Sequence, residues 1–436
     1  MKKILMITAM LLILCMMPMA LFSCNSGSND PTEAPTDAPA TDAPTDKPTD
    51  EPNKPTARPT ESDDDPYADE VLEELTYYFD DEEGASAVKH IGRTLIDEGI
   101  CCDQTASGIE FEAILEGDVS IEVKCLGLDD GSNGNDLTYF SVWVDGKRVE
   151  DTYDGEIRTD SYFYVDSKGE TEVLEIASGL KKGKHTIRIL KQNEPRYSIA
   201  KIETLTITGY LLDPPAEKEH YIEIFGDSIT GGQGNAGVNG NKGSDKYTID
   251  YSDGTKTYAV LAADKLNADF SVISESAIAL DGSWFGDNRT IFDHFLSASL
   301  KRYGTEKEYD FESARVPDVV VINLGTNDYY INKDHNSSES VPAAVKEKAK
   351  QFIELVREKY GEDMPIVWVN GMLWYGEDHV AAIHSAIDEL GGESAGLYKL
   401  TVPTNATGFN GHPNGACHVT AGQLLEQFIK DKGLLD

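Results

Sequence analysis

The sequence predicts two folded domains in series: an all-β sandwich, then a three-layer α/β/α domain built on a parallel sheet. Three observations carry this expectation. At 436 residues the chain is longer than one compact core organises. Residues 85–215 hold many short runs of alternating apolar and polar residues separated by turn signals. Residues 216–436, beginning just after Pro214-Pro215, switch to short apolar strands alternating with helical patterns, the signature of a parallel sheet covered on both faces.

Ahead of both domains, residues 1–24 read as a secretory signal: Lys2 and Lys3 precede an apolar run over 4–22 that Pro18 interrupts. The run ends in Leu21-Phe22-Ser23-Cys24, which resembles a bacterial lipoprotein processing site with Cys24 as the lipidated residue. A lipidated Cys24 would place the protein outside the cell, tethered to the membrane at its N-terminus; an ordinary cleaved signal or an uncleaved anchor is the alternative. Residues 25–66 are mostly Pro, Thr, Asp and Ala with almost nothing to bury, so they are expected to form an extended stalk. At ~3 Å per residue its reach is on the order of 100 Å. Residues 67–84 stay strongly acidic, but Leu72, Leu75, Tyr77, Tyr78 and Phe79 suggest a short docking helix.

In the β region, strands are expected at 109–114, 119–123, 161–165, 171–176, 184–190 and 204–211. Another runs over 139–144 into the hairpin turn Asp145-Gly146. In the second domain, strands are expected at 221–225, 270–273, 319–324 and 366–369, and helices at 256–266, 341–359, 379–390 and 420–430. Cys101, Cys102, Cys125 and Cys417 have neither paired-knuckle nor disulfide-framework spacing and are expected as buried thiols. The net charge of −39 argues against nucleic acid as a partner, which would be repelled.

Candidate chemistry collects at the carboxyl ends of the predicted parallel strands, where such sheets bind ligands. Ser228, in Gly226-Asp227-Ser228-Ile229-Thr230, follows the first strand and is the candidate nucleophile. Asn327, in Gly325-Thr326-Asn327-Asp328, follows another and is a candidate oxyanion donor. A serine hydroxyl needs a base, and His412 and His418, in Gly411-His412-Pro413-Asn414-Gly415-Ala416-Cys417-His418, both qualify. The segment 232–237 resembles a dinucleotide fingerprint but does not directly follow the strand, and it reads as a flexible rim loop. A metal site from His412, Cys417, His418 and His379 matches no usual zinc pattern, and the chemistry calls for neither metal nor cofactor.

Together these motifs resemble those of the SGNH (GDSL-type) hydrolases, whose fold is flavodoxin-like. With Gly92-Arg93, Trp143-Val144-Asp145-Gly146, Lys182-Gly183-Lys184-His185, Gly371-Met372 and His412-Pro413-Asn414, the whole is similar to carbohydrate esterase family 2, which joins a jelly roll to an SGNH domain. The resemblance implies a carbohydrate acetylesterase acting on acetylated plant polysaccharide or oligosaccharide. It implies His412 rather than His418 as the base, and an oxyanion hole from the N–H groups of Ser228 and Ala277 with the Asn327 side chain. Ala277 stands where the family carries glycine, and Phe409 where many SGNH enzymes carry the aspartate that orients the histidine. The resemblance then implies a Ser–His dyad oriented by a backbone carbonyl, expected from Gly411. Trp284, Trp374 and Tyr329 lie beside the motifs as a candidate sugar platform. A lipase or lysophospholipase and a catalytically weak carbohydrate-binding homologue are the rival readings.

Overall fold

The computed structural model describes residues 66–435 apart from 68, 128–136, 150–162, 167, 238–250, 284–288, 300–306, 332–339 and 374. Cys24, the signal segment and the stalk up to residue 65 lie outside the described residues, as do Trp284 and Trp374.

The first part of the described chain is an antiparallel β module. Its spine is two long strands, Gly108–Gly127 and Lys168–Lys191, paired along most of their length, with Ser198–Leu211 on the outer side of the first. The separately expected strands 109–114 and 119–123 are one strand bent at Gly117, where φ is +81° and the register shifts. Likewise 171–176 and 184–190 belong to one strand. The hairpin Leu137–Val144 to Lys147–Arg148 turns at Asp145 and Gly146, both at positive φ as its tight turn requires. Phe79, Phe111, Phe140, Ile187 and Ile202 fill the module's core.

The acidic lead-in departs from expectation. Residues Glu74–Tyr78 form a strand, not a helix, pairing antiparallel with Ser198–Leu211, and the helix is the single turn Glu82–Ala85. Alternation of Leu75, Tyr77 and Phe79 at period two, with β-favouring Thr76 and Tyr78 between them, outweighs the acidic composition. The lead-in therefore belongs to the β module, and Phe79 is buried in its core.

The second part is a five-stranded parallel sheet. Its strands are β1 (His220–Gly226), β2 (Ala268–Ser274), β3 (Val319–Asn323), β4 (Ile366–Met372) and β5 (Leu397–Thr404), in spatial order β2-β1-β3-β4-β5. Helices are α1 (Tyr258–Lys265), α2 (Ile291–Leu296), α3 (Thr326–Ile331), α4 (Ser340–Tyr360), α5 (Glu377–Glu389) and α6 (Gly415–Lys432). β3 is fully buried and serves both faces. Val319 and Val321 pack with α1 and α6, while Val320 and Ile322 pack with α4 and α5. The order is that of doubly wound flavodoxin-like sheets, which place ligands at the strands' carboxyl ends.

The two parts share a core: Ile91, Ala106 and Leu190 of the module pack with Ile222, Val272 and Tyr258. Arg93 of the module enters the second domain with no exposed side chain and meets Glu223 of β1 at 2.9 Å. Tyr309 lies under its guanidinium at 3.7 Å.

Candidate active site

Ser228 sits two residues past the end of β1. Gly226, the last residue of that strand, must be glycine, because a Cβ there would lie 2.0 Å from Thr230 Oγ1 and 3.1 Å from the Asn323 carbonyl of β3. Asp227, fully buried, accepts from the Ile229 N–H at 2.9 Å and shapes the turn. Burial pushes its carboxyl up to about 7, against the Ile229 hydrogen bond. Ser228 itself is nearly buried, and its carbonyl accepts from the Gln233 N–H at 2.9 Å.

His412 arrives from the loop between β5 and α6. Its Nε2 lies 2.9 Å from Ser228 Oγ, the distance a nucleophile–base pair needs. Its Nδ1 lies 3.1 Å from a backbone carbonyl, which fixes the tautomer with Nε2 free to accept. That carbonyl belongs to Asn410, not to Gly411 as expected. Asn410 and Gly411 both stand in the left-handed region, at φ 54° and 71°, turning the Asn410 carbonyl back toward the ring. The Gly411 carbonyl instead leads directly into the His412 amide. The dipeptide Asn410-Gly411 is the turn signal that would have identified this acceptor. Burial lowers the His412 pKa, with the Asn410 carbonyl opposing it.

The loop is held from several sides. Gly408 N–H donates to the His412 carbonyl at 2.8 Å, and Asn414 caps α6 by accepting from the Cys417 N–H at 2.9 Å. Phe409, at the position of the missing aspartate, stacks on Tyr251 with ring centroids 4.3 Å apart and donates its N–H to the Gly234 carbonyl at 2.9 Å. Segment 232–237 is thus not a flexible rim. It is largely buried, and Asn235 and Asp253 exchange two hydrogen bonds of 2.8 and 2.9 Å beneath it. A Cβ on Gly234 would lie 2.2 Å from the Phe409 carbonyl, so glycine there lets the two loops meet.

His418 is excluded as the base by its surroundings. It is fully buried, and its Nδ1 accepts from the Tyr258 N–H at 3.2 Å. Desolvation, with a smaller contribution from His412, pushes its pKa down to about 3. His412, His418 and Cys417 therefore face different partners.

Asn327 on α3 donates from Nδ2 to the Ile278 carbonyl at 2.8 Å and to Oδ2 of Asp227, the residue before Ser228, at 3.3 Å. Ala277, just past β2, has φ 71°. Tyr329 is half-buried, packed edge-on against His379 at 5.3 Å and beside Gly376. The sequence reading missed Glu194, a buried carboxylate on the β module that reaches Ser276.

Residues 222–429 match the family model described as GDSL-like Lipase/Acylhydrolase. The cellulase/esterase CelE of Acetivibrio thermocellus is 29% identical over 272 residues, covering 60% of this chain and 32% of that protein, so the chain spans about a third of its relative's length. A family two carbohydrate esterase from Clostridium thermocellum, solved with cellohexaose, superposes with a TM-score of 0.66 at 25% identity, covering 80% of this chain and 100% of that one. The acetyl xylan esterase Est2A of the rumen bacterium Butyrivibrio proteoclasticus shares the fold, with a TM-score of 0.68 at 18% identity over 84% of this chain and 100% of that one. Residues 222–429 thus match a GDSL-like lipase/acylhydrolase domain, and the described chain shares the fold of the family 2 carbohydrate esterases.

Proposed function

We propose that the protein is an extracellular carbohydrate O-acetylesterase that removes acetyl groups from xylan- or mannan-type polysaccharide through a Ser228–His412 dyad. The observation that carries the mechanism is the 2.9 Å contact between Ser228 Oγ and His412 Nε2, with Nδ1 turned onto the Asn410 carbonyl. His412 takes the Ser228 proton as Oγ attacks the acetyl carbonyl. The N–H groups of Ser228 and Ala277 receive the oxyanion, and Asn327 joins them by turning to it the Nδ2 hydrogen of its longer contact, 3.3 Å to Asp227 Oδ2. The sugar alcohol departs with the proton held on His412, which then activates water to free acetate.

The substrate class draws on the likenesses to a family two carbohydrate esterase bound to cellohexaose and to an acetyl xylan esterase. We read the β module as a jelly roll, which its long, bent antiparallel strands support. Lipidation at Cys24 and the stalk of 25–66 would carry the enzyme to polysaccharide outside the cell.

A substrate panel tests this reading. Acetate should be released from acetylated xylan or mannan, with aryl acetates cleaved far faster than long-chain aryl esters. Preference for long acyl chains would replace the reading with a lipase, and retention on polysaccharide without turnover would replace it with a binding protein.

A further inference from the structure

The turn that carries Ala277 is held, at three consecutive residues, by side chains of the β module. Thr105 Oγ1 lies 2.9 Å from Ser274 Oγ. Arg196 approaches Glu275 at 3.8 Å. Glu194 accepts both the backbone N–H and the hydroxyl of Ser276, the residue directly before Ala277. Ser276 Oγ is also 2.9 Å from Gln233 Oε1, and the Gln233 N–H binds the Ser228 carbonyl. A run of close polar contacts thus leads from the module through the Ser276 turn to the nucleophile turn, with the single Ser276 hydroxyl proton shared between Glu194 and Gln233.

The module makes Glu194 a fixed point. It is 3% exposed. Its loop is tied down by Gln192 N–H to the Tyr139 carbonyl at 2.8 Å, Tyr139 N–H to Asn193 Oδ1 at 2.6 Å, and Tyr197 N–H to the Glu194 carbonyl at 3.1 Å. On the other side Gly231 leaves the carboxylate room, since a Cβ there would stand 3.3 Å from Oε2. Ala277 has a conformation an L-residue with a Cβ resists, so its N–H keeps its direction only if its neighbours hold it.

We propose that Glu194 is a positioning residue: through Ser276 it fixes the turn that presents the Ala277 N–H to the oxyanion, so the β module completes the active site. The proposal rests on the esterase reading above. Displacing an oxyanion donor by a fraction of an ångström weakens an interaction made in the transition state, which lowers kcat rather than raising KM.

The full chain and its Glu194→Ala, Glu194→Asp and Glu194→Gln variants test it, by aryl acetate kinetics, thermal melting and the rate at which a fluorophosphonate labels Ser228. Glu194→Ala and Glu194→Asp, neither of which reaches Ser276, should lower kcat and labelling roughly tenfold or more, with KM within about threefold. Glu194→Gln, which can accept from the N–H and donate to the hydroxyl, should recover most of both rates. The proposal is overturned if Glu194→Asp melts lower but keeps kcat within about threefold of wild type, or if Glu194→Gln falls as far as Glu194→Asp. A wild type labelled at Ser228 that cleaves no ester defeats the esterase reading alone, and the labelling rates still decide the role of Glu194. A wild type that is not labelled defeats both.

Discussion

Ala277 pays for its place with a Cβ in the left-handed region, at φ 71°. A glycine there would relieve roughly 1 kcal/mol of strain, although the unfolded chain would also gain freedom and offset part of it. Ala277→Gly is therefore expected to keep its activity and to change stability by less than about 1 kcal/mol, read by urea denaturation. A large loss of activity would mean that the methyl group itself shapes the site. At this scale the sequence was a partial guide. Ser228, Asn327 and His412 stood out because each follows a strand or precedes a helix in a recognisable run. The partner of His412 was misplaced by one residue because a carbonyl acceptor has no side-chain signature, and only the left-handed pair Asn410-Gly411 shows which peptide turns inward.

Among the elements, α6 combines two tasks. Its N-cap Asn414 sets the loop that bears His412, and its buried face carries His418 under Tyr258. His418 has a folded value of about 3, below the ordinary 6.5. As pH falls from 6.5 the unfolded chain takes up this proton first, so the contribution of His418 to stability is lost in that window. The stability difference between wild type and His418→Asn, which keeps an acceptor for the Tyr258 N–H, should narrow as pH falls from about 6.5 toward 4.5, by up to about 1.4 kcal/mol per pH unit. Denaturation curves at several pH values check this, and a difference that does not change with pH contradicts it. The same scale explains which elements were legible. β1, β3 and α4 have strong apolar runs or periodicity. β5 went unread because its edge position leaves Thr401, Pro403 and Thr404 exposed. The strand Glu74–Tyr78 was hidden by its acidic surroundings.

For the whole molecule, what escaped the sequence was the dependence of one part on the other. Composition showed a β region beside an α/β region. No local pattern indicates that Arg93, Thr105 and Glu194 end inside the second domain, since long-range pairs carry no periodicity. Arg93 and Glu223 form an ion pair with both side chains fully buried, so Arg93→Ala would strand a carboxylate in the core. It should cost about 3–5 kcal/mol, measured by urea denaturation, with module and domain still unfolding in one transition. Two separate transitions in the wild type would contradict the shared core.

We propose that Ser228 and His412 together hydrolyse acetyl esters of carbohydrate. The most direct measurement is kcat for acetate release from an acetylated oligosaccharide by the full chain and by its Ser228→Ala and His412→Ala variants, each confirmed as folded. Each variant should lose at least about a thousandfold, and the double variant little more than either alone, because the two act as one unit. Release by Ser228→Ala at a rate close to that of wild type would contradict the account.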